Sequence, residues 1–154
     1  MGRARLLLLG VLTLSAGGAP QPIGHLPGHR ALDYLGRLAL ASPFLVSGFA
    51  KLFDFAGAVD EIASLGLRPA TPYAIAVILT QLGGSALFMS RRFCWLGAGI
   101  LAAFTLVATL LAHPFWTFAG ADRGHQAATF FEHLAIVGGF AIAAMFVNGP
   151  RASP

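Results

Sequence analysis

Four stretches of this chain are apolar for long enough to cross a bilayer: residues 35–53, 73–89, 93–112 and 130–147. At 1.5 Å per residue, spans of about 17–20 residues cover roughly 26–30 Å, the thickness of a hydrocarbon core. No water is present there to satisfy backbone groups, so each stretch is expected to be a helix. The strict alternation of a barrel strand is missing. Short linkers favour packing between sequence neighbours, and the expected fold is an all-α transmembrane four-helix bundle. Composition agrees: 56% of residues are hydrophobic and 10% are charged, against about 25% charged in an ordinary globular domain. A water-soluble domain and a disordered chain are both excluded.

The linkers refine this picture. After the first span, Phe55, Val59, Ile62 and Leu65 recur at helical spacing, with Asp60, Glu61 and Ser64 opposite them. This predicts a short interfacial amphipathic helix between spans 1 and 2, capped by Asp54 and ended by Gly66. Thr71 is the expected N-cap of the second span, with Pro72 at its first helical position. Ser90-Arg91-Arg92 reads as a tight turn and Phe118 to Gln126 as a polar loop. Pro43 is expected to bend the first span.

Residues 31–149 form the expected four-helix domain, residues 1–30 an N-terminal extension and residues 150–154 a C-terminal tail. Arg3 and Arg5 precede an apolar run and then small residues up to Ala19, which resembles a secretory signal. Pro20 makes cleavage after Ala19 unfavourable. Residues 1–19 therefore stand as a cleaved signal, a loosely ordered or interfacial segment, or an over-called start. Both termini and the Arg91-Arg92 turn share one side. That side holds Arg30, Arg37, Arg91, Arg92 and Arg151, against Lys51, Arg68 and Arg123 opposite. The positive-inside rule then puts both termini in the cytoplasm.

The net charge of +4 is not gathered into a nucleic-acid-binding run; anchoring to anionic headgroups accounts for it better. The lone Cys94 excludes a disulfide framework and any multi-cysteine metal site within the chain. It lies beside two arginines, which lower a thiol pKa, although a small core residue is the simpler role. Small residues mark helix contacts in lipid, and Gly48, Gly83, Gly84, Gly138 and Gly139 are the packing candidates, with Gly97 and Gly99 in the third span. Room for a flat cofactor is the alternative reading of such glycine pairs.

Polar groups at membrane depth are the best pointers to function. Gln81 lies near the middle of the second span, as interhelical glue or as a ligand contact. Lys51 is either a snorkelling cation paired with Asp54 or a charge facing a pocket. His113, His125 and His133 fall on the outer side with Trp116 and Glu132 nearby. His113 and His133 can meet across a helix pair, but no HxxxH or HxH spacing supports a metal site, and haem is disfavoured. The candidate pocket is therefore Lys51, Asp54, Gln81, His113, Trp116, Glu132 and His133. Lys51 is expected to pair with Glu132, because both lie near the outer face; two separate snorkelling charges are the alternative.

Five segments in order carry a family resemblance: Ser47-Gly48-Phe49-Ala50-Lys51-Leu52-Phe53-Asp54, Leu65-Gly66-Leu67-Arg68-Pro69, Gln81-Leu82-Gly83-Gly84, His113-Pro114-Phe115, and Phe131-Glu132-His133-Leu134-Ala135-Ile136-Val137-Gly138-Gly139. Over about residues 34–149 the chain resembles the DoxX family of small four-helix membrane proteins. Gln81 stands where that family usually has Glu, which removes a proton-transfer role there. Glu132-His133 stands where Lys-Asn is more usual. The resemblance implies a cytoplasmic-membrane protein associated with quinone-linked or thiol- and oxidant-stress oxidoreductase complexes, with a quinone as the candidate cofactor. A soluble oxidoreductase or another membrane subunit is the implied partner. A non-catalytic scaffold or small-solute carrier is the competing class, and a haem-binding electron carrier the third. Four spans of this size are expected to enclose little volume, which leaves a homo-oligomer open.

Overall fold

A computed structural model describes residues 29–148; the expectations for residues 1–28 and 149–154 lie outside them. By its contacts the chain divides after Asp33, and of the first unit only residues 29–33, the opening of the first helix, are described. Five helices follow in order: α1 His29–Phe53, α2 Phe55–Ser64, α3 Ala70–Met89, α4 Cys94–Ala112 and α5 Gly120–Asn148, with a 3-10 turn at Phe115–Thr117 before the last. Among the described residues α1, α3, α4 and α5 are long and apolar enough to span a membrane. The bundle is all-α, as its apolar periods require.

Successive long helices run antiparallel, and small residues set their closest approaches. On α4, a Cβ added to Gly97 would lie 2.6 Å from Phe88 Cα and 2.7 Å from the Gly84 carbonyl oxygen, both backbone atoms of α3. Gly48 of α1 meets Leu82 at 2.7 Å in the same sense, Gly84 meets Leu101 at 2.9 Å, and Gly139 of α5 meets Leu40 at 2.9 Å. Gly83 and Gly138 differ: an added Cβ there has nothing within 4 Å. These two sit beside the contact rather than in it, since neighbours on a helix point about 100° apart. Gly99 is likewise open.

One half of the bundle is filled. Ala41, Phe44, Phe88, Cys94, Ala98, Leu101 and Phe140 form its core, so the thiol of Cys94 is a buried packing group. Phe140 stands edge-on to Phe88 at 4.9 Å and is tilted against Phe44 at 5.5 Å between ring centres. At this end Arg37, 2% exposed, donates from Nη1 to the carbonyls of Phe88 at 3.3 Å and Met89 at 3.4 Å. These are among the last carbonyls of α3, which lack partners in their own helix and carry its negative dipole end. The guanidinium thus closes α3, and its Cζ lies over the ring of Tyr34, 4.7 Å from the ring centre. Sequence reading had counted Arg37 only as a charge for orientation.

Local chemistry explains the breaks. Pro43 cannot donate to the Ala39 carbonyl; Ser42 Oγ supplies that carbonyl with a bond of 2.8 Å instead. Asp54 accepts from Gly57 N at 3.0 Å and caps α2. Gly66, at φ +78°, turns the chain out of α2, while Gly66 N bonds Ala63 O and Leu67 N bonds Ile62 O. That pair of bonds is the Schellman closure, in which the left-handed position favours glycine. Ser90 joins α3 to α4, donating to Leu87 O and accepting from Phe93 N.

Two expectations are corrected. α3 begins at Ala70 with Pro69 at its N-cap, not Thr71, and neither makes a side-chain cap. Pro72 falls within the first turn, where its missing N–H has no helical acceptor to lose. The polar stretch after Phe118 is helix from Gly120 onward rather than loop. Gly120 at φ +59° makes the turn, and Asp122 in the first turn suits the helix dipole. At 29 residues, α5 is about 43 Å long, so its polar start extends beyond the apolar span. Finally, α2 packs on α3 through Ala58 and Ile62 against Ala74, leaving Phe55 and Leu65 exposed at 39% and 36%. Ala58 joins Ile62 at the centre of the buried face, with Val59 half-buried beside them and Phe55 and Leu65 at its edges.

Candidate functional site

The other half of the bundle is open. Between α1, α3, α4 and α5, and under α2, lies a cleft of about 590 Å³ with mostly apolar walls. Phe44 and Phe104 stand at its core side, and small residues such as Ala76 and Ala108 line its walls. Tyr73, Val107 and Leu111 line the cleft and are also substantially exposed, so it opens on the surface where lipid tails would lie.

Its polar groups fall in two sets. In the first, Lys51 Nζ pairs with Glu61 Oε2 at 2.7 Å and lies 3.4 Å from Ser47 Oγ. Ser47 sits one turn before Lys51 on α1, and its Oγ also accepts from Gln81 Nε2 at 3.1 Å across to α3. Gln81 is 5% exposed, and its Oε1 is buried with no hydrogen-bond partner. The four residues form a polar ladder from the half-exposed Glu61 down to Gln81, which is both interhelical glue and a cleft residue.

The second set joins α4 to α5. Thr105 and Thr109 bond back to Leu101 O at 2.7 Å and Thr105 O at 2.6 Å. Thr109 Oγ1 also lies 2.8 Å from His133 Nδ1. Each hydroxyl has one proton, so if Thr109 donates to Thr105 O, His133 Nδ1 carries the hydrogen and donates to Thr109, and if Thr109 donates to the ring, Nδ1 accepts. His113 Nδ1 lies 2.7 Å from Gln126 Oε1, which ties the end of α4 to the first turns of α5. The two imidazoles meet edge to face, 5.1 Å between centres.

Of the residues singled out from sequence, Lys51, Gln81, His113 and His133 line one cleft, while Asp54, Trp116 and Glu132 do not. Asp54 is occupied as the α2 cap. Trp116 is exposed and stacks edgewise with Phe115 and Phe130, in keeping with an aromatic anchor at a membrane interface. Glu132 is exposed, and Lys51 pairs with Glu61 in its place. Depth alone suggested Glu132. The fold of α2 back over α1 decides otherwise, because it delivers Glu61 to the ammonium. Sequence reading also passed over Thr105, Thr109 and Gln126. Thr105, Thr109 and His113 recur every fourth residue in an otherwise apolar helix, a polar stripe that was available as a signal. No cluster of three or more metal-ligating side chains occurs among the described residues.

These features define a class: an integral membrane bundle of four spans with a lipid-accessible, ligand-sized cleft at one end. The chain belongs to the DoxX family, whose sequence model matches residues 32–114. It is also similar to the inner membrane protein YphA of Escherichia coli (strain K12), with 27% identity over 135 residues, covering 88% of this chain and 89% of that protein. No solved structure matches it.

Proposed function

We propose that this protein is a multi-pass inner-membrane subunit that holds an isoprenoid quinone in the cleft for a partner oxidoreductase dealing with thiols or oxidants. The observation that carries the reading is the buried Gln81 Oε1, which has no partner in a cleft of ligand size. Leaving a buried acceptor unmade is unfavourable by about 1–3 kcal/mol, and a hydroxyl of the reduced ring is the group of such a ligand that would satisfy it. The cleft suits an amphiphile with a small polar ring and an apolar tail: ligand pockets of roughly 300–1,000 Å³ are apolar with a few placed polar groups. A quinone supplies two-electron carriage when bound. The residues that would hold its ring are Gln81, His113 and His133, with Phe44 and Phe104 as apolar floor. Lys51 and Glu61, neutralising each other, guard the outer rim. Both termini are cytoplasmic in this reading, which places the cleft near the outer leaflet. The relative's inner-membrane location supports the membrane assigned.

The test is equilibrium binding of a short-chain ubiquinone–ubiquinol couple to the full chain in lipid nanodiscs. At least one form should bind saturably above protein-free nanodiscs, and Ala108→Trp, which fills the cleft, should abolish it. Absence of saturable binding, or binding unchanged by Ala108→Trp in a folded variant, overturns the site. Copurification with a soluble or membrane oxidoreductase tests the partner. Reporter fusions at Arg92 and Gly120 should read cytoplasm and exterior respectively; the reverse overturns the orientation.

A further inference from the structure

We infer that the cleft takes a long-chain carboxylic acid from the surrounding bilayer in its uncharged form, with the carboxyl group paired to the Gln81 amide and the chain leaving through the lipid-facing mouth. The inference goes beyond the quinone reading and stands without it; the two ligands would exclude each other at Gln81.

The head-group site is built around one amide. Gln81 is buried, its Nε2 donates to Ser47 Oγ at 3.1 Å, and its Oε1 has no hydrogen-bond partner. A primary amide has two N–H donors and an acceptor oxygen, so one donor and the oxygen remain after Ser47 is served. The group that completes Gln81 must bring a donor, and it fits best with an acceptor beside that donor. An uncharged carboxyl group carries both on one carbon: its O–H donates to Oε1 and its carbonyl accepts the second Nε2 hydrogen. Ser47, Tyr73 and Thr80 bring hydroxyl groups to the same lining. As donors they suit the acid's carbonyl, which has a second lone pair to offer.

Charge selects the form of the acid, and shape accommodates its chain. Titratable groups line the cleft from every wall: Lys51 on α1, Glu61 on α2, Tyr73 on α3, His113 on α4 and His133 on α5. Lys51 Nζ already holds Glu61 Oε2 at 2.7 Å, so its charge is met within the chain. A carboxylate would have to displace Glu61 or remain an unpaired charge at membrane depth, which is costly. The uncharged acid meets neither obstacle, and burial in a low dielectric favours that form. The cleft, of about 590 Å³ with mostly apolar walls, has the size of a ligand pocket. Val107 and Leu111 line it and are also substantially exposed, so an apolar chain can lie along them into the lipid while the carboxyl group reaches Gln81.

The experiment follows palmitic acid, labelled with carbon-13 at its carboxyl group, by NMR with the full chain in lipid nanodiscs and with protein-free nanodiscs. The protein should add a second, saturable carboxyl resonance that keeps the position of the uncharged acid through the pH range in which the bilayer population ionises. Hexadecanamide, which offers the same donor and acceptor on one carbon, should displace it. Methyl palmitate keeps the carbonyl but lacks the O–H, and it should need about ten-fold more, the usual consequence of one buried acceptor left unmade. Gln81→Met should remove the resonance. Absence of a second resonance overturns the inference. A second resonance that ionises together with the bilayer acid, or at lower pH, overturns it too, because the bound species is then the carboxylate. Equal displacement by methyl palmitate shows an apolar slot without the Gln81 pairing and also overturns it. The ligand comparisons use the wild-type chain, so they decide the matter even if Gln81→Met fails to fold. Ubiquinone binding is measured separately, so either reading can fall while the other survives.

Discussion

Removing Glu61 should destabilise the bundle more than removing Lys51, although the two are partners in one ion pair. The ammonium and carboxylate are 2.7 Å apart. At an effective dielectric of 20 the gross attraction is about 6 kcal/mol. Most of it is offset by desolvation, and the side chains are unequally exposed, at 16% for Lys51 and 54% for Glu61. Glu61 is half in solvent, so the pair sits between an exposed bridge of about 0–1 kcal/mol and a buried one whose broken partner costs about 3–5 kcal/mol. Glu61→Gln leaves a mostly buried ammonium with only Ser47 for company and should cost about 2 kcal/mol, in the lower part of that interval. Lys51→Met leaves a carboxylate that turns to water, and the Met side chain fills the apolar space vacated by the lysine stem. It should cost less than about 1 kcal/mol.

Denaturant unfolding in mild detergent, followed by far-ultraviolet circular dichroism, measures these differences. The double variant should resemble Lys51→Met alone, giving a coupling of about 1–2 kcal/mol between positions 51 and 61. Lys51→Met combined with Glu132→Gln should instead be additive. The reasoning is refuted if Lys51→Met is the worse single change, or if the 51–61 effects add and the 51–132 effects do not.

Three further outcomes are expected. Gly97→Ala should destabilise the bundle by about 1–3 kcal/mol or prevent folding, since its Cβ meets backbone of α3 that cannot rotate away; Gly83→Ala and Gly138→Ala should be neutral or slightly stabilising, and thermal melts in detergent separate the two cases. Ser85, 0% exposed with no partner for its hydroxyl, should become more stable by about 1 kcal/mol as Ala, because an unmade buried hydroxyl is removed; a melt below wild type would show that the hydroxyl is bonded. Nitrogen-15 spectra of histidine-labelled protein should show neutral His133 in one tautomer, with Thr109→Val mixing the tautomers; a wild-type mixture contradicts the Thr105–Thr109–His133 chain.

The spans were legible because a bilayer leaves a polypeptide few choices: long apolar runs must be helices, and short polar links must turn them. Element ends were less so. The start of α5 was misplaced by about ten residues because an apolar-window reading finds the part of a helix in lipid, not the helix. Residues 120–129 are polar and exposed for most of their length, and nothing in their hydropathy separates them from a loop. Their helix is declared instead by Gly120 and the acidic first turn. Among the glycines, sequence supplied the pairs but not which member faces a neighbour, since that depends on the rotation of each helix about its axis. Hence Gly84 and Gly139 are contacts, whereas Gly83 and Gly138 are not.

The same missing coordinate decided the site. Distance along a span can be counted in a sequence, and Lys51, His113 and His133, each near a span end, line one cleft. Azimuth cannot be counted until helices are packed. Glu132 and His133 are adjacent at nearly the same depth, yet only His133 lines the cleft, because one residue of helix rotation separates a cleft-facing position from an outward one. Glu61 was legible only as the polar face of a short helix. Its role depends on α2 folding back so that Ile62 packs against Ala74, which carries the preceding residue over Lys51. The polar side of an amphipathic helix is thus not all solvent-facing here. Its Asp60 edge is exposed, while Glu61 at the boundary completes the rim of the cleft. An amphipathic pattern read as two faces misses that boundary position, where a charge can be half in water and still neutralise a buried partner.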